Sequence, residues 1–253
     1  MQLTSKRKFV IIIADTTRRK KMIALNEYET LEDMMIGDLK IVQDTRLYRF
    51  TSDSVLLSRF ARAKRNDTVA DFCSGSGIVA FHFYALQSEI LQKHLSFTLF
   101  EMQTPLAELS KKTIELNGFS NFTVENLRLQ EIPEKYRERF SLILCNPPYE
   151  RGGFENETYE KAVCRKELTL TLPELTKAAA KCLKFGGRFA LVHRADRLAE
   201  LCYTLKEAGL EVKRLAFVAG KEGAKPYLVL LEAVKGGKPA TEILPTVINK
   251  SKK

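Results

Sequence analysis

The sequence predicts an α/β fold: a seven-stranded, mostly parallel sheet with an antiparallel last strand and helices on both faces. Three observations carry this. From residue 68 onward, short β-branched or aromatic runs alternate with segments of helical period. Glycine stands just past three of the helical segments, where a left-handed residue closes a helix. The last two strand runs are separated only by residues 220–226, too short for a crossover, so they pair antiparallel.

The elements follow in order. Residues 1–21 hold seven Lys/Arg against Asp15, with one apolar run at 9–14 and no amphipathic period. They read as a basic extension open to disorder, and Met22 and Met34 are alternative starts. Residues 22–67 form an appendage. In it Leu39-Lys40-Ile41-Val42-Gln43 alternates like a strand, Tyr48 to Phe50 like another, and Ser52 or Asp53 is placed to cap a helix. The main domain spans 68–234. Its strands are expected at 68–72, 96–101, 122–126, 140–146, 187–193, 210–218 and 227–234, and its helices at 78–93, 105–117, 172–185 and 194–208. Residues 235–253, with five Lys and one Glu, form a basic tail.

Composition excludes several classes. With 253 residues, 45% hydrophobic and 28% charged, the chain can bury a core; whole-chain disorder, collagen and coiled coil are excluded. The apolar run at 9–14 is far short of the roughly 20 residues that span a bilayer. It also lacks the length and cleavage site of a secretory signal, which leaves no membrane partner to expect. Five cysteines, without a CxxC, argue against a disulfide framework and a zinc site and for a reducing cytoplasm. His82, His94 and His193 are not at metal-ligand spacing and read as structural. The net charge of +10 suggests a polyanionic partner, yet the two ends carry it and leave the body neutral. Such ends are equally read as phosphate-binding arms or as solvated tails.

Three constellations carry chemistry. Asp71-Phe72-Cys73-Ser74-Gly75-Ser76-Gly77 follows a strand and opens a helix, where glycines let backbone turn sharply and approach a ligand. A small residue suffices at Cys73 if its φ is negative. Glu101 ends the next strand, where a carboxylate can hold ribose hydroxyls. Asn146-Pro147-Pro148-Tyr149 follows an apolar strand; two prolines halt any ladder and leave carbonyls unpaired at the edge where open α/β sheets bind ligands. The Asn oxygen and a proline carbonyl can accept both hydrogens of an exocyclic amine, and the Tyr ring can stack on a planar base.

This combination resembles the Rossmann-like S-adenosylmethionine methyltransferases that modify planar-bound amines. Leu31 to Gln43, Phe50 to Leu57, Arg165-Lys166-Glu167 and His193 to Leu198 resemble the bacterial tRNA adenine-N6 methyltransferases that act beside the anticodon of valine tRNA. The resemblance covers roughly residues 29–245. It implies S-adenosylmethionine as cofactor, tRNA as partner, a cytoplasmic monomer and no metal. It also implies that Asp71, Cys73, Ser74, Gly75 and Gly77 line the cofactor and that Glu101 and Met102 lie at its ribose. Asn126 stands where such enzymes often carry an Asp near adenine. Phe50 and Asp53 match the segment near the methionine end, though Asp53 serves equally as a plain helix cap. Asn146, Pro147, Pro148 and Tyr149 are the implied catalytic set. Arg151 with Gly152-Gly153 reads as a loop edge able to meet phosphate. The same Asn-Pro-Pro-Tyr logic serves DNA and rRNA amino-methyltransferases, and glutamine methyltransferases of release factors, which usually carry a helical N-terminal domain.

Overall fold

The computed structural model describes residues 9–13, 21–47, 49–149 and 170–250. Phe9–Ile13 (β1) pairs antiparallel with Lys21–Leu25 (β2), and Glu29–Asp33 (β3) pairs antiparallel with Lys40–Asp44 (β4). The expected loose extension is therefore corrected at 9–13: a run of β-branched residues finds a ladder. Tyr48 lies outside the described residues, and Arg49 and Phe50 belong to no strand. Ser52–Phe60 (α1) is capped by Thr51 with no side-chain hydrogen bond, so neither Ser52 nor Asp53 is the cap. Ile23, Leu25 and Val42 bury against Leu106 and Leu109, which seats the appendage on the main domain. Thr113 Oγ1 accepts from the Val42 N–H at 3.0 Å, and the Asn117 amide brackets Lys40.

The main sheet holds Thr68–Phe72 (β5), Ser96–Glu101 (β6), Phe122–Asn126 (β7), Phe140–Cys145 (β8), Leu183–Arg194 (β9), Leu210–Ala219 (β10) and Leu228–Lys235 (β11). Two short strands from the tail, Glu242–Ile243 (β12) and Val247–Ile248 (β13), bring it to nine. Its order is β12-β10-β11-β9-β8-β5-β6-β7, with β13 also on β10. All neighbours are parallel except β11, which runs antiparallel between β9 and β10. The predicted antiparallel pairing is thus present. The basic tail adds to the sheet: β12 and β13 lie parallel to β10, and the Asn249 N–H donates to the Ala219 carbonyl at 2.9 Å.

Helices differ from expectation where local chemistry intervenes. The span 78–93 breaks into Ile78–Ala85 (α2) and Glu89–Gln92 (α3), because Ser88 accepts from the Leu91 N–H and starts a new turn. Thr104–Asn117 (α4) ends at Gly118, φ +68°. Leu172–Cys182 (α5) opens with a Thr171/Glu174 capping box, but residues 183–185 join β9 instead of the helix. Leu198–Glu207 (α6) follows a 3₁₀ turn at Ala195–Arg197. The chain passes from β7 to β8 through two 3₁₀ turns instead of a helix.

Side-chain alternation along the strands builds one core on each face. Val69, Leu142, Leu144 and Val192 bury against α1 and α2; Ala70, Ile143, Cys145 and Leu191 bury against α5 and α6. The chain leaves β5 toward β6 on one side and returns to β8 on the other. The order reverses there, so the carboxyl ends of β5 and β8 diverge into a crevice, the expected ligand position of an open α/β sheet.

Candidate active site

The loop after β5 is built from left-handed backbone: φ is +56° at Cys73, +57° at Gly75 and +87° at Gly77. The condition of a negative φ at Cys73 is not met, and a non-glycine there costs about 1–2 kcal/mol. Neighbours hold it: the Ser74 N–H donates to the Phe100 carbonyl at 3.1 Å and the Gly77 N–H to the Ser74 carbonyl at 2.8 Å. A Cβ on Gly77 would stand 2.4 Å from the Phe81 ring, so the fold requires glycine there twice over. A Cβ on Gly75 would meet open space, on the side where a ligand can approach.

Glu101 organises this loop. One carboxylate oxygen accepts from the Gly75 N–H and the other from the Gln103 N–H, both at 2.8 Å. Burial raises its pKa while these backbone donors oppose the rise. Asp71 lies beneath the loop, 1% exposed. Its Oδ2 accepts from the Ala80 N–H at 3.1 Å, whereas Oδ1 is buried without a partner. Burial, with Glu101 nearby, raises its pKa to about 8.

The crevice is a cleft open to solvent. Of the residues singled out in the sequence, Phe50, Cys73, Ser74, Gly75, Glu101, Met102, Asn146 and Pro148 line it. Asp53, Asp71, Gly77, Asn126, Pro147 and Tyr149 lie beside it and are not among its lining residues. Asn126 donates to the Glu101 carbonyl and accepts from the Thr104 hydroxyl, each at 2.8 Å, so its amide braces the loop. Sequence reasoning missed Ser54 and Ser76, and also Leu127, Leu129 and Gln130, just past β7. Two leucines at a strand's carboxyl end were the available signal for an apolar wall.

At the far side of the cleft, the Asn146 Nδ2 donates to Ser54 Oγ at 2.9 Å. Its Oδ1 is buried without a partner. The Tyr149 hydroxyl donates to the Asp53 carboxylate, and its ring lies 5.5 Å from that of His193. Burial, aided by Arg197, lowers the His193 pKa to about 4, so this imidazole is neutral near pH 7. His82 Nδ1 lies 2.8 Å from Ser58 Oγ, and His94 Nε2 lies 3.2 Å from the Arg65 guanidinium. Among the described residues no three His, Cys, Asp or Glu side chains gather as a metal site. Arg151, Gly152, Gly153, Arg165, Lys166 and Glu167 lie outside the described residues.

Comparison with known proteins gives this geometry its context. The family model "Methyltransferase small domain" matches residues 51–211. A tRNA1(Val) (adenine(37)-N6)-methyltransferase of Shewanella baltica is 28% identical over 185 residues, 71% of this chain and 75% of that one. Its counterpart in Escherichia coli is 24% identical over 195 residues, 76% of this chain and 77% of that one. Among solved structures, one titled as a predicted O-methyltransferase from Agrobacterium tumefaciens aligns with TM-score 0.61 at 18% identity, covering 78% of this chain and 86% of that one. Pyrococcus horikoshii TYW2, in complex with MeSAdo, aligns with TM-score 0.58 at 14% identity, covering 86% and 75%. These last two share the fold.

Proposed function

The chain belongs to the methyltransferase small domain family, and from that premise we propose that it methylates the exocyclic N6 amine of an adenosine in tRNA. The methyl donor is S-adenosylmethionine and the target is position 37 of a valine tRNA, as named for the relatives. The enzyme works where tRNA is modified, in the cytoplasm.

The cleft fits this cofactor. Ser74 Oγ is buried without a partner and stands ready for a polar group. Gly75 leaves open space beside the Glu101 carboxylate, suited to ribose hydroxyls. Leu127 and Leu129 supply an apolar wall for an adenine ring. When bound, S-adenosylmethionine supplies an electrophilic methyl group on a sulfonium.

The observation that carries the proposal is the buried, unpartnered Oδ1 of Asn146 at the cleft. A buried acceptor left unpaired costs about 1–3 kcal/mol, and an incoming N–H removes that cost. The adenine N6 lone pair is delocalised into its ring and is weakly nucleophilic. Accepting one amine hydrogen at Asn146 Oδ1, and the other at the Pro147 carbonyl, would favour a more pyramidal nitrogen with a freer lone pair, the nucleophile that methyl transfer needs. Catalysis then consists of positioning, which supplies up to about 7–11 kcal/mol. No strong base is needed before transfer, consistent with a neutral His193. The base must leave its stack, costing a few kcal/mol. The Tyr149 ring recovers about 1–3 kcal/mol by stacking.

The names of the curated relatives favour tRNA over the glutamine-methylating alternative. The test is methyl transfer from labelled cofactor to unmodified tRNA, rRNA, duplex DNA and a release factor in parallel, followed by nucleoside mass spectrometry. We expect N6-methyladenosine in tRNA alone. Asn146→Ala should abolish transfer and leave the cofactor Kd unchanged. Label in the release factor would overturn the substrate, and joint loss of cofactor binding would overturn the role of Asn146.

A further inference from the structure

We propose that Cys73 and Cys145 form an oxidation site in the wall of the cleft, where a peroxide joins their sulfurs in a reversible disulfide that disables the cofactor turn. The inference rests on the reading of the cleft as the site of the methyl donor.

Two loops meet at the cleft, and each follows directly on one of these cysteines. β5 ends at Phe72 and passes through Cys73 into the Ser74-Gly75 turn. β8 ends at Cys145 and passes into Asn146. The two strands are parallel neighbours with Phe72 opposite Cys145, so Cys73 stands one step beyond that pairing. Side chains alternate faces along a strand, which would turn residue 73 away from the side of Phe72. The left-handed backbone at Cys73, φ +56°, departs from that alternation, and its side chain packs against the same core as Phe72 and Cys145. Both residues are free thiols, and the two thiols interact directly. Neighbouring strands lie about 4.7–4.9 Å apart, inside the roughly 4.4–6.8 Å between Cα atoms that a disulfide spans.

Their surroundings set the order of events. Cys73 is half-buried and lines the open cleft, where a small oxidant reaches it. Cys145 is fully buried, and burial pushes its thiol pKa well up, so it stays protonated and meets only what Cys73 brings. Hydrogen peroxide oxidises the Cys73 sulfur to a sulfenic acid and is itself reduced, releasing one water. The Cys145 sulfur then attacks the Cys73 sulfur. The S–S bond forms, the S–O bond breaks, and the hydroxyl leaves with the Cys145 proton as a second water. The two sulfurs lose two electrons and the peroxide gains them. A transient bond of this kind suits a reducing compartment, whose thiols return it to the dithiol. While it lasts, it tethers the cofactor turn to the residue before Asn146, across the crevice where β5 and β8 diverge.

The test uses the full chain, reduced and free of cofactor, then exposed to hydrogen peroxide. Peptide mass spectrometry should find Cys73 linked to Cys145, two hydrogens lighter than the separate thiol peptides. Single-turnover methyl transfer should fall about ten-fold or more, since misplacement by about 1 Å costs up to about 10²-fold. The S-adenosylmethionine Kd should rise, and dithiothreitol should restore both. Prior loading with S-adenosylhomocysteine should slow the linkage by covering Cys73. In Cys145→Ala the same treatment should carry Cys73 past the sulfenic to the sulfinic acid, and dithiothreitol should no longer restore function.

No linked peptide, a link of either residue to Cys164, Cys182 or Cys202 instead, or a link that leaves cofactor affinity unchanged would each overturn the proposal. So would full recovery of oxidised Cys145→Ala in dithiothreitol. If the reduced parent transfers no methyl to tRNA, the substrate reading falls; the peptide masses and the cofactor titration then decide the cysteine pair alone.

Discussion

Asp71 carries an electrostatic conflict that experiment can read directly. One oxygen takes the Ala80 N–H, the other has no partner, and the carboxyl is 1% exposed. Its folded pKa is raised from 3.8 to about 8. Between these values the folded state holds a proton that the unfolded state releases. The group's contribution to stability is therefore complete below about pH 3.8 and is lost as pH rises through about 8. Asp71→Asn cannot ionise, so its melting temperature should fall less than the parent's between pH 5 and pH 8. Parallel pH profiles of the two would show no divergence if Asp71 were ionised when folded. The sequence makes Asp71, the glycines and Asn146 legible because their reasons are local: a tight turn, a halted strand, a strand end. Ser54 is illegible because its reason lies 92 residues away. The same holds for the bonds that Asn126 makes to Glu101 and Thr104, which tie it to the neighbouring strand and helix.

Between elements, the firmest polar tie joins β9 to the start of β5. Arg188 Nη2 donates to Asp67 at 2.6 Å, with both side chains about 5–6% exposed. Arg188 also donates to the Arg62 carbonyl, and Asp67 accepts from the Lys64 N–H and the Ser141 hydroxyl, each at 2.7 Å. A buried pair of this kind adds little net stability over apolar packing, but removing one partner strands the other. Arg188→Ala should therefore cost about 3–5 kcal/mol in urea unfolding. Adding Asp67→Asn should not deepen the loss, because the amide still offers an acceptor to its neighbours and no unpaired charge then remains. Additive losses would show that the two residues act separately. Strand positions are largely legible from apolar runs, whereas element ends are not. The helix expected over 78–93 breaks at Ser88, and the one expected over 172–185 yields its last turn to β9. In both cases a cap or a ladder outcompetes helical period.

On the scale of the whole molecule, charge and topology converge on one edge. Sequence shows that the body is neutral and the ends are basic, but not where the ends go. The fold answers for the C-terminal segment. β12 and β13 run parallel to β10, so the chain advances toward the sheet edge that carries Asn146. Asn249 is fastened there to Ser52 and Tyr227, and Lys250 follows it directly. A lysine at that edge is well placed for a phosphate of the RNA backbone, where neutralising each phosphate releases a counterion. Exchanging Lys250, Lys252 and Lys253 for Gln should weaken tRNA binding at low salt. It should also flatten the slope of log Kd against log salt by about 0.7–0.9 for each phosphate that is no longer neutralised. The cofactor Kd should not move, since the described residues that wall the cleft fall between 50 and 170. A filter-binding series across salt concentrations, run beside a cofactor titration, checks both. An unchanged slope would make the segment a strut for α1 and nothing more, and phosphate recognition would then fall to other parts of the chain.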